Sequence, residues 1–589
     1  MRTLRLFNCV LAKVSGFKYE ITPEGLIIDG PAMWARNEIV AYYSSKKLSA
    51  KELNETPFYK SFATVRAMSR YEILLDQIAH YASTYGTGFT GKVFIPAQVV
   101  ELPEDREPLE FRYVRGVTRD ELVKKCLQIL QSGIALAQND IEDILHILIV
   151  DLGYIVTEHD GIKNKEAIVV LADKYNVMPF TPLETLRLAI FKSTTKTLLI
   201  KNPATIAAIK ISKYNPAKLF TAVGFKRMAE IFNRFKPLFL AYKKHCPAAI
   251  NAISKLSKTH HKPMPQNAVN LVTDSRTTVS DANMHWFKNA TPFAFFKALN
   301  ALRTRIAGQT NFCYRIRNGK SWTKEVAANA NIANMQHNYD KMMEIARTRW
   351  DMTGKTVYVP AGITYGVPTS AKMFTGNVPT GTTFECPNLI IGIYWRNDWG
   401  ARDIDLSAIN ISGDKIGWNA MYHNRELTYS GDITNAPDGA SEYLSCVQKL
   451  RNDYLIQANT FYGGMEDVKF TLIIGHGDPI ARGHIIDPAN IIFQETISTA
   501  QRQTVLGLLL DNKFVIGNFA SGASHVSSAD PKKIKAMVSQ VQNSISFNEL
   551  LIELGATMVA TPEEAIVDLS LSKLDKDTFI QLLSEKENK

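Results

Sequence analysis

The chain has 589 residues, of which 46% are hydrophobic and 21% charged, with 33 Gly, 24 Pro, six Cys and a net charge of +11. That length suits about three or four domains, and that apolar content supplies buried cores, so a wholly disordered chain and the collagen-like and low-complexity classes are excluded. The cysteines are scattered without a CxxC pair, which argues against a disulfide framework or a cysteine zinc motif.

In chain order, residues 1–117 read as a mixed α/β region. Strand-like runs (Phe17–Ile21, Lys92–Leu102) flank helix-like ones (Pro31–Leu48, Ser61–Ser83). Residues 118–350 read as mainly helical and repeat-like. Thr118 with Glu121, and Thr181 with Glu184, have capping-box spacing, and Pro203, Pro216, Pro237, Pro247 and Pro263 punctuate short helices. Residues 351–525 turn β-rich, through Lys355–Pro360, Thr383–Tyr394, Ile404–Ile409, Tyr454–Tyr462, Lys469–Ile474 and Phe514–Ile516. Gly, Asn, Asp and Pro turns separate these runs, which predicts a β-sandwich. Residues 526–589 read as helical, with one helix over Pro531–Leu554, a capping box at Thr561 and Glu564, and a helix over Asp575–Glu585. The expected whole is a multidomain α+β protein. No uncharged apolar run approaches the roughly 20 residues a membrane helix needs. No signal peptide is read, so a cytoplasmic protein without membrane contact is expected.

The charge is concentrated. Arg187–Lys262 holds sixteen Lys and Arg against one acid, Glu230, and the block Arg187–Glu325 carries +21 against −10 for the remainder. Such a field attracts a polyanion. The candidate phosphate contacts are Lys210, Lys213, Lys226, Arg227, Arg234, Lys243, Lys244, Arg303, Arg305, Arg315 and Arg317, with Tyr314 and Trp322 as stacking rings for unpaired bases. The expected partner is RNA or single-stranded DNA. The alternative is a self-assembling or scaffold protein whose basic face docks on acidic protein surfaces, in a homo-oligomer or with another protein.

Two motifs read as connections. Gly86–Val93 matches G-x-G-x-x-G, but a helix-like segment precedes it and a strand follows, the reverse of a phosphate-binding strand–loop–helix. His476, Asp478, His484 and Asp487 lack a zinc-site spacing and read as a polar loop. A third stretch is more informative. Asp403, Asp405 and Ser407 share one face of a strand by alternation, and Tyr429-Ser-Gly431-Asp432 and Asp438-Gly439-Ala-Ser-Glu442 follow. Carboxylates at strand ends and in Gly-rich turns suit a hard cation, although Asp and Gly also populate hairpin turns without one.

These motifs resemble the tellurite-resistance (TerD-type) family of calcium-binding β-sandwiches over about residues 387–519. The resemblance implies that Asp403, Asp405, Asp432, Asp438 and Glu442 are ligands for Ca²⁺; the acidic loop is thinner here than in that family. A basic helical body followed by a separate metal-site domain also resembles TROVE-type RNA-binding proteins in layout. Asp405-Leu-Ser407-Ala-Ile409 lacks the second Ser of their metal motif. The general texture is similar to that of proteins of bacteria and large phages.

Overall fold

A computed structural model describes residues 2–53, 62–84, 112–134, 136–179, 181–197, 199–260, 268–273, 281–315, 321–327, 331–368, 374–446, 449–463, 468–477, 486–520 and 531–584. Gly86–Val93, the strand-like run Lys92–Leu102, Arg317, Asp478 and His484 lie outside these residues. The architecture is mixed helix and sheet throughout.

At the N-terminus, β1 (Cys9–Leu11), β2 (Tyr19–Ile21), β3 (Leu26–Asp29) and β4 (Arg112–Val117) form one sheet in the order β1-β4-β3-β2, with β4 parallel to both neighbours. Leu26, Ile28 and Val114 bury one face of it against Ile39 and Tyr43 of the helix Arg36–Ser44. Both capping boxes read from the sequence are formed, at Thr118–Glu121 and Thr181–Glu184. Each satisfies two otherwise orphaned N–H groups and fixes where its helix begins.

The helices fall into two cores. One, from Val169 to Ile253, is built on Leu186, Ile190, Phe220, Phe232, Phe239 and Ile250. Its long helix Phe225–Ala241 kinks at Phe235 (φ −118°, ψ 24°) two residues before Pro237, as expected where a proline removes an N–H and crowds the preceding turn. The other core is continuous from the helix Arg119–Gln131 through Phe295, Leu299, Met342 and Trp350 into the β-domain. An antiparallel hairpin, β5 (Asn311–Arg315) and β6 (Ser321–Glu325), interrupts the helical span.

The β-domain comprises β7 (Thr356–Tyr358), β8 (Ile363–Thr364), a small pair β9 (Phe374–Thr375) and β10 (Val378–Pro379), β11 (Thr383–Glu385), β12 (Leu389–Trp395), β13 (Ala401–Asn410), β14 (Lys415–Gly417), β15 (Leu427–Tyr429), β16 (Ala440–Cys446), β17 (Tyr454–Gly463), β18 (Val468–His476), β19 (Ile491–Thr499), β20 (Gln503–Leu510) and β21 (Lys513–Ala520). A seven-stranded sheet (β14-β13-β17-β20-β21-β11-β8) faces a five-stranded one (β15-β16-β12-β18-β19). Leu406, Ala408, Ile456 and Leu509 from the first sheet share one core with Ile391, Ile393, Leu472 and Ile474 from the second, which makes a two-layer sandwich.

Both outer faces are covered as well. The helix Pro531–Asn543 lays Ile534, Met537 and Val538 on Ile409, Leu455, Leu508 and Val515. Leu48, Leu53 and Phe62 lie on Ile390, Tyr394, Tyr443 and Ile473.

The C-terminal stretch is more broken than the helices its sequence suggests. Pro531–Leu554 splits at Ser546, whose hydroxyl caps the helix Phe547–Glu553. Thr561 caps nothing with its side chain, and only a 3-10 turn follows. The last helix spans Thr578–Leu582. Between them β22 (Thr557–Val559) and β23 (Val567–Asp568) pair in parallel on either side of β7. The segment also reaches the N-terminus: Lys576 N–H donates to Leu6 O at 3.0 Å, and Asn8 Nδ2 donates to Leu574 O at 2.7 Å. Among the described residues no helix is long and apolar enough to cross a membrane.

Candidate metal centre and basic surfaces

β13 carries Asp403 and Asp405, and the loop between β15 and β16 carries Asp432. Each offers a carboxylate oxygen, and the three lie within 4.8 Å of one another. All three residues are buried, at 3%, 2% and 1% exposure. The local chain explains the convergence. β13 is paired to β14 only from Ser407 onward and is irregular in register between Ala401 and Ile404, so its first half is a free edge. Gly431 holds a φ of +117° ahead of Asp432, a conformation that glycine adopts without strain.

Glu442 ties the two pieces together. It is fully buried, and its Oε2 accepts from Leu406 N–H on β13 at 2.7 Å. Its Oε1 accepts from Ile433 N–H on the loop at 3.0 Å. It therefore stands as a bracket between the strand bearing Asp403 and Asp405 and the turn bearing Asp432, outside the set of three converging oxygens. Asp438 is exposed and is likewise outside that set.

The electrostatics are severe. Burial first, then Asp432, pushes Asp403 up to about 7. Burial, then Asp403, Asp432 and Glu442, raises Asp405 well above the usual carboxylate range. Glu442 is raised as well, by burial and Asp432. Among the described residues Lys415 is the base that acts on Asp405, and burial pulls it down to about 8 against the attraction of that carboxylate. Asp403 Oδ1 and Asp405 Oδ2 are buried with no hydrogen-bond partner among the described residues. Buried carboxylates without donors need either protons or a cation.

A polar neighbour escaped the sequence reading. Asn459, opposite Asp405 in the β13–β17 register, donates Nδ2 to Ser407 Oγ at 3.0 Å and leaves its own buried Oδ1 without a partner among the described residues. Only the strand register could have found it.

The basic residues divide into two groups. Lys210, Lys213, Lys226, Arg227, Arg234, Lys243 and Lys244 are all exposed on the Val169–Ile253 module. The five lysines among them make no ion pair among the described residues, and Arg234 lies over the Phe235 ring at 5.1 Å. The rings between these bases belong to the core: Phe232, Phe235 and Tyr242 are buried.

The second group is engaged elsewhere. Arg303 pairs with Glu549 at 3.2 Å. Arg305 lies over the Phe312 ring at 4.4 Å and donates to Ala301 O. Tyr314 and Trp322 face each other across the β5–β6 hairpin and stack, with centroids 4.7 Å apart. Trp322 stays 47% exposed. Arg315 ends β5. The hairpin packs on the helix Pro531–Asn543, where Cys313 N–H donates to Gln540 Oε1.

Sequence position therefore grouped bases that the fold separates. No protein-family model, curated protein or solved structure matches this chain, so the likeness to the TerD and TROVE families rests on the residues quoted above.

Proposed function

We propose that this protein is a binding protein that holds Ca²⁺ between Asp403, Asp405 and Asp432 in its sandwich and takes up nucleic acid, RNA or single-stranded DNA, on its basic helical module. The cation reading is carried by the orphaned buried oxygens of Asp403 and Asp405. Three oxygens no more than 4.8 Å from one another lie no more than about 2.8 Å from a shared centre, within a few tenths of an ångström of a calcium–oxygen distance. Backbone carbonyls and water would complete the six to eight ligands that Ca²⁺ takes. Titration calorimetry on protein stripped with EGTA tests this reading. Ca²⁺ should bind the wild type and fail to bind Asp405→Asn; no heat from the wild type rejects it.

The nucleic-acid reading is carried by the exposed lysines of the helical module, whose block has one acid among sixteen bases. Neutralised phosphates release counterions, so affinity for an oligonucleotide should fall steeply between low and moderate salt. Fluorescence anisotropy with an RNA and a DNA oligomer should show this fall, and a loss of binding in Lys226→Glu with Lys243→Glu. Wild-type protein that ignores both oligomers and instead self-associates in light scattering would replace this reading with the scaffold one.

A further inference from the structure

A cleft of about 1630 Å³ opens where the N-terminal sheet, the helical body and the C-terminal segment meet. It is larger than the roughly 300–1,000 Å³ of ordinary small-molecule pockets. Its wall carries nine bases and four acids. The acids have partners: Asp575 holds Lys125 at 3.1 Å, Asp568 holds Lys573 at 2.5 Å, Asp120 lies 3.9 Å from Arg119, and Asp351 accepts from Thr353 N–H. Arg349 spends its guanidinium on the carbonyls of Phe287 and Ala290.

That leaves Arg115, Lys124, Lys163, Lys288 and Lys355. None of these five makes an ion pair among the described residues. They come from β4, the helix Arg119–Gln131, the turn before the helix Lys165–Lys174, the end of the helix Asp281–Lys288, and the approach to β7. Five separate segments thus bring bases that hold no ion pair to one concave wall.

A further positive element points the same way. The helix Pro292–Ile306 begins on this wall with Thr291, Pro292 and Phe293. It has no acid in its first turn, and the Thr291 side chain caps none of its N–H groups. The positive end of a helix dipole and its free N–H groups favour an anion. Tyr113 and Tyr154 add ring surface to the same wall.

We propose that this cleft binds a ligand bearing several phosphates, seated against Lys163, Lys288 and the neighbouring bases. The phosphates could belong to a free polyphosphorylated small molecule or to a nucleic-acid strand. The site is separate from the basic module invoked above and does not depend on that reading.

The test uses the full chain and sodium tripolyphosphate in titration calorimetry at two salt concentrations. The wild type should bind and weaken with salt. Lys163→Glu with Lys288→Glu, both exposed positions, should weaken binding by about thirtyfold or more, whereas Lys469→Glu with Lys535→Glu, exposed positions outside the cleft and the basic module, should change it by less than about threefold. No binding by the wild type, or equal weakening by the two pairs, overturns the proposal. An oligonucleotide that competes with tripolyphosphate and loses affinity in the cleft pair identifies the ligand as a strand. An oligonucleotide indifferent to the cleft pair identifies it as a free polyphosphate. Unchanged circular dichroism of both pairs shows that they fold.

Discussion

Asp405→Asn should stabilise the cation-free protein and destabilise the cation-loaded one. In the unfolded chain Asp405 titrates near 3.8, whereas burial and its carboxylate neighbours raise it well above that in the fold. Without a cation the fold therefore favours its protonated form, whereas the unfolded chain favours the carboxylate. Each pH unit between the unfolded value and the raised folded one costs about 1.4 kcal/mol. The sign follows from the raised value: there is no penalty below about pH 3.8, and it grows as pH rises until the folded group ionises. Asn has no proton to gain, so in EGTA the variant should be the more stable protein, and by more at pH 7 than at pH 5. With Ca²⁺ at a hundredfold excess over its dissociation constant, the wild type gains about 2.7 kcal/mol that the variant forgoes. Urea denaturation followed by tryptophan fluorescence, with EGTA or Ca²⁺ at both pH values, reads each term. A variant whose midpoint drops by the same amount in EGTA and in Ca²⁺ would refute the reasoning.

Three further outcomes follow from the same geometry. Glu442→Gln leaves the amide able to accept only one of the two backbone N–H groups. Calorimetry should show calcium affinity down by about tenfold to a hundredfold, as for the loss of a residue that orients ligands, whereas a loss as complete as in Asp405→Asn would make Glu442 a ligand. Because Asp403 is pushed up to about 7, protons compete with the cation, and affinity should drop on going from pH 8 to pH 6 by up to about tenfold per unit below 7; a flat profile would place Asp403 outside the site. Arg5→Ala removes bonds to Asp140 at 2.6 Å and Asp143 at 2.8 Å and, among the described residues, leaves the buried Asp140 with Lys576 alone, 3.8 Å away. A destabilisation of about 1–3 kcal/mol in urea is expected, and none would show the pair to be ornamental.

Part of this was legible from sequence. The period-2 pattern over Asp403–Ile409 placed the Asp pair on a strand, and Gly431-Asp432 marked the turn that meets it. The strand Ala440–Cys446 was not legible, because its first residues read as the tail of an acidic Gly-rich loop. That error made Glu442 look like a loop ligand rather than a strand residue reaching inward to two amides. β19 and β20 were missed too, since the even spread of leucines in Gln503–Leu510 hides its alternation and both faces are covered. The hairpin at Asn311–Glu325 and the two- and three-residue strands β22 and β23 are too short for any period to show. Their pairing is decided by partners elsewhere in the chain. The charge block signalled a basic surface, but only the fold separates the exposed lysines of the helical module from Arg303 and Arg305.

The parallel pairing of β7 with β22 and β23 also bears on how the molecule is made. Thr356 pairs with Thr557, and its hydroxyl donates to the carbonyl of Glu564, 208 positions later. At synthesis rates of about 5–20 residues per second, β7 waits roughly 10–40 s for its flanking strands to leave the ribosome. During that interval its backbone edges are open to any other extended segment, including the β7 of a neighbouring chain on the same message. Slowing translation upstream of residue 557 would lengthen this exposure.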